Sequence, residues 1–288
     1  MASPLLPIGR ILGAALAGPF RHPIAFLRCS VAPILSVILN NALGYYTTHG
    51  HFMATESGLR FVFPDSLRWV PPLLIVVTVC ALAMFAVSWQ RCVTLGDQAE
   101  PVPPIRIDRW LGQYLILGLK LLGVMLPPIL AGLLVVAPIL GPVPNSAQTA
   151  IFAIAVAILF FVWVWWWIGR FSLAIASAAV DRPPIRLRDS WRMTAMVRKP
   201  VIAIFLCIGL AGFLLSFLAI HLLHALMPIG FQFSLPPFIL FGLANLALGL
   251  IQIGWIVGAA GEIYRQLSEP PAASDQESAS GIAATRSN

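Results

Sequence analysis

Charged side chains are scarce in this sequence. Its 288 residues include 18 Lys and Arg and 11 Asp and Glu, together 10% of the chain, whereas a soluble domain carries about 25% charged residues. Hydrophobic residues make up 59%, and the mean hydropathy is +0.89. A chain of this composition cannot cover its surface with polar groups, which excludes an ordinary water-soluble globular protein.

Chemically reactive groups are scarce as well. The four cysteines lie in or at the ends of apolar runs and show no C-x-x-C spacing, which argues against a disulfide framework or a zinc site. The sequence holds no GxSxG, HExxH, P-loop or paired-carboxylate motif. No ionisable side chain falls near the middle of an apolar run, where transporters and pumps usually keep one. We therefore predict no metal, no cofactor and no enzymatic activity.

Long apolar runs are what the sequence has in abundance. A helix needs about 20 apolar residues to cross ~30 Å of hydrocarbon, whereas barrel strands alternate apolar and polar residues over about 10 residues. Six runs are long enough and do not alternate: Ala25–Thr48, Trp69–Thr94, Gly112–Leu140, Ala147–Gly169, Pro200–Met227 and Leu235–Arg265. They predict an all-α polytopic membrane protein whose six transmembrane helices form three hairpins within residues 23–266.

Basic residues are distributed unevenly between the two sides of these runs. If the segment before the first run is cytoplasmic, fifteen Lys and Arg lie on the inner side. Arg60 and Arg68 then lie on the outer side, and Lys120 lies within the third run. Cytoplasmic loops carry the excess of Lys and Arg. We therefore predict a multi-pass protein of the bacterial inner membrane with both termini in the cytoplasm.

The segments outside the runs lie at the two termini. Residues 1–22 are predicted to be an interfacial segment with a short in-plane helix, because Ile11–Ala17 is apolar but too short to span. The alternative interpretation is the apolar core of a signal peptide. Residues 267–288, rich in Ser, Ala and Glu, are predicted to form a disordered cytoplasmic tail.

Residues 181–194, DRPPIRLRDSWRMT, gather charge directly after an apolar run. Pro183-Pro184 can begin a new helix. On a helical wheel the charged residues share one arc, and Leu187 and Trp191 lie on the other. This pattern predicts an amphipathic helix on the inner leaflet, where basic side chains attract anionic lipids.

The alternative for this connector is an internal strut, in which Trp191 packs beneath the bundle and the arginines pair with carboxylates. The carboxylates in question are Asp181, Asp189 and Glu262. The candidate lipid-headgroup contacts are Arg91, Arg106, Arg170, Arg186, Arg188, Trp191, Arg192 and Lys199.

Two consecutive prolines, Pro127-Pro128, interrupt the third apolar run. Each removes a backbone donor and clashes one turn back, so we predict that the helix kinks there and packs against its neighbours. The alternative is a helix break whose freed carbonyls meet polar groups or water in a cavity. The candidate cavity residues are Asn40, Asn41, Lys120, Pro127, Pro128, Asn245 and Gln252.

Four histidines, His49, His51, His221 and His224, fall at the outer ends of the first and fifth runs. Imidazoles suit transition metals, so they would form a metal site if they converged. The alternative is a set of separate histidines at the membrane interface, and the sequence does not decide whether the two runs are neighbours.

A partial repeat links the inner connectors. Residues 103–110 read PPIRIDRW and residues 183–191 read PPIRLRDSW, and each follows a run that ends in tryptophan and arginine. The pattern indicates related hairpins, as in many membrane proteins built from internal repeats. Similar interface chemistry at each membrane exit is the alternative.

The connector LRDSWRMT, following RFSLAIASAAVDRPPIR, resembles a group of bacterial proteins, and WQRCVTLGDQAEPVPP at 89–104 adds to the likeness. These are uncharacterised inner-membrane proteins related to the glycerophosphoryl diester phosphodiesterase membrane-domain-like family. The resemblance implies an integral membrane module, which in some members is fused to a soluble phosphodiesterase. It implies no catalytic residue in this chain.

The function predicted from these features is a non-enzymatic membrane module acting through lipid or protein contacts. Anionic lipids of the inner leaflet are the predicted partners, and nucleic acid is not. The first alternative is a small-solute or lipid transporter built around Pro127-Pro128. The second is a membrane enzyme acting on lipid headgroups.

Overall fold

The computed structural model describes residues 6–48, 52–55, 58–61, 69–96, 105, 107–140, 147–180, 183–226 and 235–268. Within these ranges the chain forms eight helices and one β-hairpin. The helices are α1 (Ile8–Arg21), α2 (Pro23–Thr48), α3 (Val70–Leu95), α4 (Arg109–Leu140), α5 (Ala147–Val180), α6 (Leu187–Met196), α7 (Arg198–Leu226) and α8 (Leu235–Ser268). All except α1 and α6 are long and apolar enough to cross a membrane. The predicted all-α polytopic membrane fold is confirmed.

A short hairpin lies between α2 and α3. Strands β1 (Phe52–Thr55) and β2 (Gly58–Phe61) pair antiparallel, with Phe52 opposite Phe61. No strand is predicted from the sequence in this loop, because four residues are too few to show an alternating pattern.

Helix ends follow local chemistry. Pro71-Pro72 occupies the first turn of α3, where a missing N–H leaves no helix bond unmade. The same helix ends at Gly96, whose φ of 54° favours glycine. α4 begins after Asp108, whose Oδ1 accepts hydrogen bonds from the backbone N–H groups of Trp110 (3.0 Å) and Leu111 (3.1 Å).

Helix α8 is the centre of the bundle, since it packs against α1, α2, α3, α5 and α7. Glycines bring these neighbours close. A Cβ at Gly258 would lie 3.5 Å from the Cα of Ala15 in α1, and one at Gly261 would lie 2.6 Å from the Gln90 amide in α3. Small residues allow such close approach of helices in membranes. α4, by contrast, lies at the edge and packs mainly against α5 and α3.

Buried side chains of the described residues concentrate at one end of the bundle. We call it the basic end: α1, α6, the C-terminal ends of α3, α5 and α8, and the N-terminal ends of α2, α4 and α7. One hydrophobic cluster there includes Leu173, Phe205 and Ile263, and a second includes Phe85 and Trp89. Large apolar side chains are exposed on the outer faces of the long helices, as expected for surfaces that contact lipid.

The alternative of a helix break at Pro127-Pro128 is wrong, because α4 is helical from Arg109 to Leu140. Two prolines remove only the hydrogen bonds that would reach the carbonyls of Gly123 and Val124. The remaining backbone hydrogen bonds maintain the helix, because hydrocarbon offers the backbone groups no alternative hydrogen-bond partner.

Helix α5 continues through Gly169, where the sequence predicts a membrane exit, to Val180. Nearly every side chain from Gly169 to Ala179 is buried. The apolar residues of α5 after Gly169 are therefore covered by protein, and their hydrophobicity reflects a protein core at the basic end.

The apolar face of helix α1 packs against protein. Ile11 is 0% exposed and Ala15 is 3% exposed, and both belong to the cluster shared with α7 and α8. The indole N–H of Trp255 in α8 donates a hydrogen bond to the carbonyl oxygen of Leu16 (3.1 Å). Residues 269–288, predicted to be a disordered tail, lie outside the described residues.

Candidate lipid-binding groove at the basic end

The connector between α5 and α7 is attached to α5 by hydroxyl groups. Ser190 Oγ accepts a hydrogen bond from the N–H of Ala174 (3.2 Å) and donates one to the carbonyl of Arg170 (3.0 Å). These are two backbone atoms that an α-helix pairs with each other. Thr194 Oγ1 also lies 3.3 Å from the Arg170 carbonyl, and the N–H of Ile185 donates to Ser177 Oγ (2.9 Å).

Trp191 of α6 lies within an aromatic cluster on α5. Its ring centroid is 5.2 Å from that of Trp166, 5.5 Å from that of Trp167 and 5.6 Å from that of Phe171. The guanidinium carbon of Arg170 lies 4.2 Å from the Trp191 ring centroid, within the range of a cation–π interaction. The packing of Trp191 therefore follows the strut alternative, and the connector is held against α5.

Asp181 lies outside the described residues, and in the described part of the chain no arginine of the connector pairs with Asp189 or Glu262. Glu262 is 7% exposed and pairs instead with Arg265 on its own helix, at 2.9 Å. Arg188, Asp189 and Arg192 are exposed on α6. The connector is thus attached through Ser190, Thr194 and Trp191, with its charges turned outward.

A groove separates α4 from this connector. Its lower part is a cavity of about 420 Å³ that α4 lines with Gln113 and Lys120, and the connector with Arg186. Its upper part is a cavity of about 310 Å³ with walls that include Val124 of α4 and Trp167 of α5. Leu187 lines both parts. The groove exists because α4 lies at the edge of the bundle, whereas α6 packs against α5.

The groove carries positive charge on apolar walls. Lys120 and Arg186 lie in the lower part, and Arg188 lines the upper part. All three are exposed, and no carboxylate among the described residues pairs with them. The remaining walls include Ile116, Leu117, Ala178 and Phe171. Such a surface suits an anion joined to an apolar group.

Two polar atoms in the groove walls lack a hydrogen-bond partner among the described residues. They are Gln113 Oε1 in the lower part and the indole nitrogen of Trp167 in the upper part. Both atoms are covered by protein, so neither presents a hydrogen-bonding group to the groove.

The other candidate headgroup contacts are placed differently. Arg91 donates a hydrogen bond to the carbonyl of Ala179 (3.0 Å) and lies 5.0 Å from the ring centroid of Trp110. Arg170 is buried, and its Nε and Nη1 have no partner among the described residues. Arg192 and Lys199 are exposed outside the groove. Arg106 lies outside the described residues.

The predicted cavity set is not brought together. Asn40 of α2 donates to Thr78 Oγ1 of α3, and Gln252 of α8 donates to the Gly212 carbonyl of α7 (3.1 Å). The amide of Asn41 faces Gly242 of α8. These amides join pairs of helices, and none of these contacts reaches α4. Two further members, Asn245 and Pro127, are exposed, and Lys120 belongs to the groove. The side chain of Pro128 lies outside the described residues.

The histidine prediction is largely outside the described residues, which omit His49 and His51 and the side chain of His224. His221 is exposed, and its Nδ1 lies 2.8 Å from the carbonyl oxygen of Phe217 one turn earlier. In the described portion of the chain, no three His, Cys, Asp or Glu side chains gather into a metal-binding group.

Sequence reasoning missed Ser177, Ser190, Thr194 and Gln113. A signal for two of them was present: positions 187, 190, 191 and 194 follow the spacing that places side chains on one helix face. Hydroxyl groups among those positions indicate a face that bonds to protein. No local signal identifies Gln113, because its surroundings come from a connector about 70 residues further along the chain.

Comparisons with protein-family models, with curated proteins and with solved structures find no match for this chain. The resemblance carried by residues 170–194 therefore stays a prediction. What the structure shows is a multi-pass membrane protein with six spanning helices and a cationic groove beside α4.

Proposed function

We propose that this protein is a non-enzymatic module of the bacterial inner membrane that binds an anionic phospholipid in the groove between α4 and the connector. The observation that carries the proposal is the pair Lys120 and Arg186, which face one cavity of about 420 Å³ from opposite walls. The resemblance to bacterial inner-membrane modules supports the same assignment.

The physical basis is charge combined with an apolar surface. A basic side chain near an anionic membrane surface contributes roughly 1 kcal/mol of attraction. Arg186 directly precedes α6 at the end of the bundle where the arginines gather, and Lys120 lies about three turns into α4 from the same end. A phosphate between them leaves the acyl chains beside Leu187 and Val124, along the exposed face of α4.

Orientation belongs to the same proposal. The basic end faces the cytoplasm and both termini lie there, because the excess of Lys and Arg falls on the cytoplasmic side of membrane proteins. The bound lipid then belongs to the inner leaflet.

The test is lipid retention in nanodiscs that contain phosphatidylethanolamine and phosphatidylglycerol, measured by native mass spectrometry. Lys120→Gln combined with Arg186→Gln should weaken retention of the anionic lipid. Two cations at roughly 1 kcal/mol each correspond to about 30-fold in affinity.

The matched control removes the same charge outside the groove, with Arg192→Gln combined with Lys199→Gln. It should retain the anionic lipid to within about twofold. Equal loss in the two variants would show that only the general basic surface attracts lipid, and no loss in either would remove the proposal.

A further inference from the structure

Arg91 of α3 contacts the two helices whose ends line the lower part of the groove. Its Nη1 donates a hydrogen bond to the carbonyl oxygen of Ala179, in the last turn of α5 (3.0 Å). Its guanidinium carbon lies 5.0 Å from the ring centroid of Trp110, in the first turn of α4. One planar side chain therefore joins the start of α4 to the end of α5, by a charge-assisted hydrogen bond and a cation–π contact.

Both contacts lie close to the walls of the lower cavity. Ala178, adjacent to Ala179, lines that cavity from α5. α4 is one continuous helix from Trp110 to Lys120, so the position of its first turn determines where Lys120 lies. Because α4 lies at the edge of the bundle and packs mainly against α5 and α3, a side chain of α3 that reaches both other helices sets their separation.

The connector on the opposite side of the groove is held by a contact of the same kind. The guanidinium carbon of Arg170 lies 4.2 Å from the ring centroid of Trp191. In the partial repeat, PPIRIDRW ends at Trp110 and PPIRLRDSW ends at Trp191, and Arg91 and Arg170 lie near the ends of the preceding apolar runs. The two arginine–tryptophan contacts thus occupy corresponding positions. Interface chemistry favours both residue types at a membrane exit, but it does not require them to contact each other.

We infer that Arg91 is a positioning residue of the groove: through Trp110 it holds Lys120 of α4 at a fixed separation from the connector. This inference rests on the proposed function and adds to it a residue that shapes the site. Arg91 lines neither part of the groove, and its guanidinium group is engaged with Ala179 and Trp110. It therefore acts on the bound lipid through α4.

The first measurement is the distance between the two walls. In the full chain without native cysteines, spin labels are attached at Leu119→Cys on α4 and Met196→Cys on α6, whose side chains are 70% and 78% exposed. Pulsed electron paramagnetic resonance in nanodiscs of phosphatidylethanolamine and phosphatidylglycerol should give one narrow distance distribution. Arg91→Met removes the charge and the donors from a long side chain and should broaden that distribution.

The matched control is Arg109→Met. The guanidinium carbon of Arg109 also lies over the Trp110 ring, at 5.5 Å, but the described part of the chain shows no hydrogen bond from it to α5. This variant should leave the distribution narrow. Trp110→Leu removes the ring and should broaden the distribution, which keeps the inference testable if Arg91→Met does not fold. Trp110→Phe retains an aromatic face for the guanidinium and should keep the distribution narrow.

Lipid retention, measured by native mass spectrometry, distinguishes positioning from direct contact. Arg91→Met should lower the retention of phosphatidylglycerol by about fivefold, the contribution of one of the two groove cations. Added to the variant that combines Lys120→Gln with Arg186→Gln, the same change should have no further effect, because no pair of cations remains to be positioned.

The outcomes separate this inference from the proposed function. A distribution that stays narrow in both Arg91→Met and Trp110→Leu overturns the inference and leaves lipid binding standing. A further loss of lipid when Arg91→Met is added to the double variant also overturns it, because Arg91 would then bind the lipid directly. Equal broadening by Arg109→Met would remove the role of the bond to α5. If the intact protein shows no preference for phosphatidylglycerol, the proposed function is overturned, whereas the distance measurement still decides whether Arg91 fixes the two walls.

Discussion

Residue 261 is a glycine, and the Gln90 side chain of α3 lies where any other residue at this position would place its Cβ. The neighbouring Gln90 side chain is 0% exposed, and in the amide orientation that satisfies both its oxygen and its nitrogen it donates to the carbonyl of Val257 (3.0 Å) and accepts from the N–H of Gly261 (3.2 Å). Thr94 Oγ1 lies 2.9 Å from the same amide. A buried polar network of this kind stabilises a helix contact only while every member is satisfied.

We expect Gly261→Ala to lower stability, because its Cβ would lie 2.6 Å from the Gln90 amide and 2.9 Å from Thr94 Oγ1. Overpacking of this kind costs about 1–3 kcal/mol. Gly249→Ala on the same helix is the control: its Cβ would meet nothing within 4 Å, and alanine favours a helix by up to about 1 kcal/mol. Thermal unfolding in detergent measures both. Equal melting temperatures for the two variants would contradict the prediction, because α3 and α8 could then move apart without loss of stability.

At this scale the sequence reveals residue types but not their partners. The sequence shows Asn40, Asn41 and Gln252 as polar residues within apolar runs. The hypothesis that they line one cavity rests only on their similar depth in those runs. The structure pairs Asn40 with Thr78 and Gln252 with Gly212 and Ser216. Which helices are neighbours decides these pairs, and neighbour relations depend on the whole bundle.

At the scale of elements, α6 is attached to α5 by side chains that the surface-helix interpretation does not require. Ser190 and Thr194 are 0% exposed, and both approach the carbonyl of Arg170. A helix held only by lipid attraction would have no need of these bonds. The structure therefore combines an attached inner face with an outer face of exposed cations.

Ser190→Ala should lower the stability of the protein, because it leaves the connector without its bonds to the Arg170 carbonyl and the Ala174 N–H. The two backbone groups can still pair with each other within α5, so the loss is the net contribution of these hydrogen bonds, about 0.5–1.5 kcal/mol each. The matched control, Met196→Ala, changes a side chain that is 78% exposed on the same helix and should leave the melting temperature unchanged. If the two variants melt alike, α6 is not anchored through its hydroxyl.

Whether a helix or a groove could be predicted depends on the pattern that its residues leave in the sequence. Six spanning helices were predictable because an apolar run of sufficient length has one stable outcome in a bilayer. The burial of the C-terminal end of α5 was not predictable, because side chains that face lipid and side chains that face protein have the same composition. The groove was not predictable either, because it depends on the gap between α4 and a connector distant in sequence.

At the scale of the whole molecule, the even number of spans places both ends of the six-helix bundle on one side. The proposed orientation assigns that side to the cytoplasm. The hairpin of β1 and β2 then faces outward, between α2 and α3.

In a variant without native cysteines, Ser57→Cys should react with an impermeant thiol reagent applied outside intact cells. Met196→Cys should react only after the membrane is opened, because α6 lies at the basic end. Met196 is 78% exposed, so protection in intact cells would reflect the membrane and not burial. The reverse labelling pattern would invert the proposed orientation.

The central position of α8 has a consequence for how the protein is made. The helix that five others pack against is synthesised after all five of them, and α1, the earliest of the five, packs directly against it. At about 5–20 residues per second, Ala15 leaves the ribosome roughly 10–50 s before Gly258 arrives to meet it. Until then the earlier helices are inserted without their common neighbour, so the face of α1 that holds Ile11 must be shielded by lipid or by the insertion machinery. Completion of the bundle is thus tied to the synthesis of α8, and a polypeptide that stops before α8 exposes the surfaces by which a cell's quality control recognises an unfinished membrane protein.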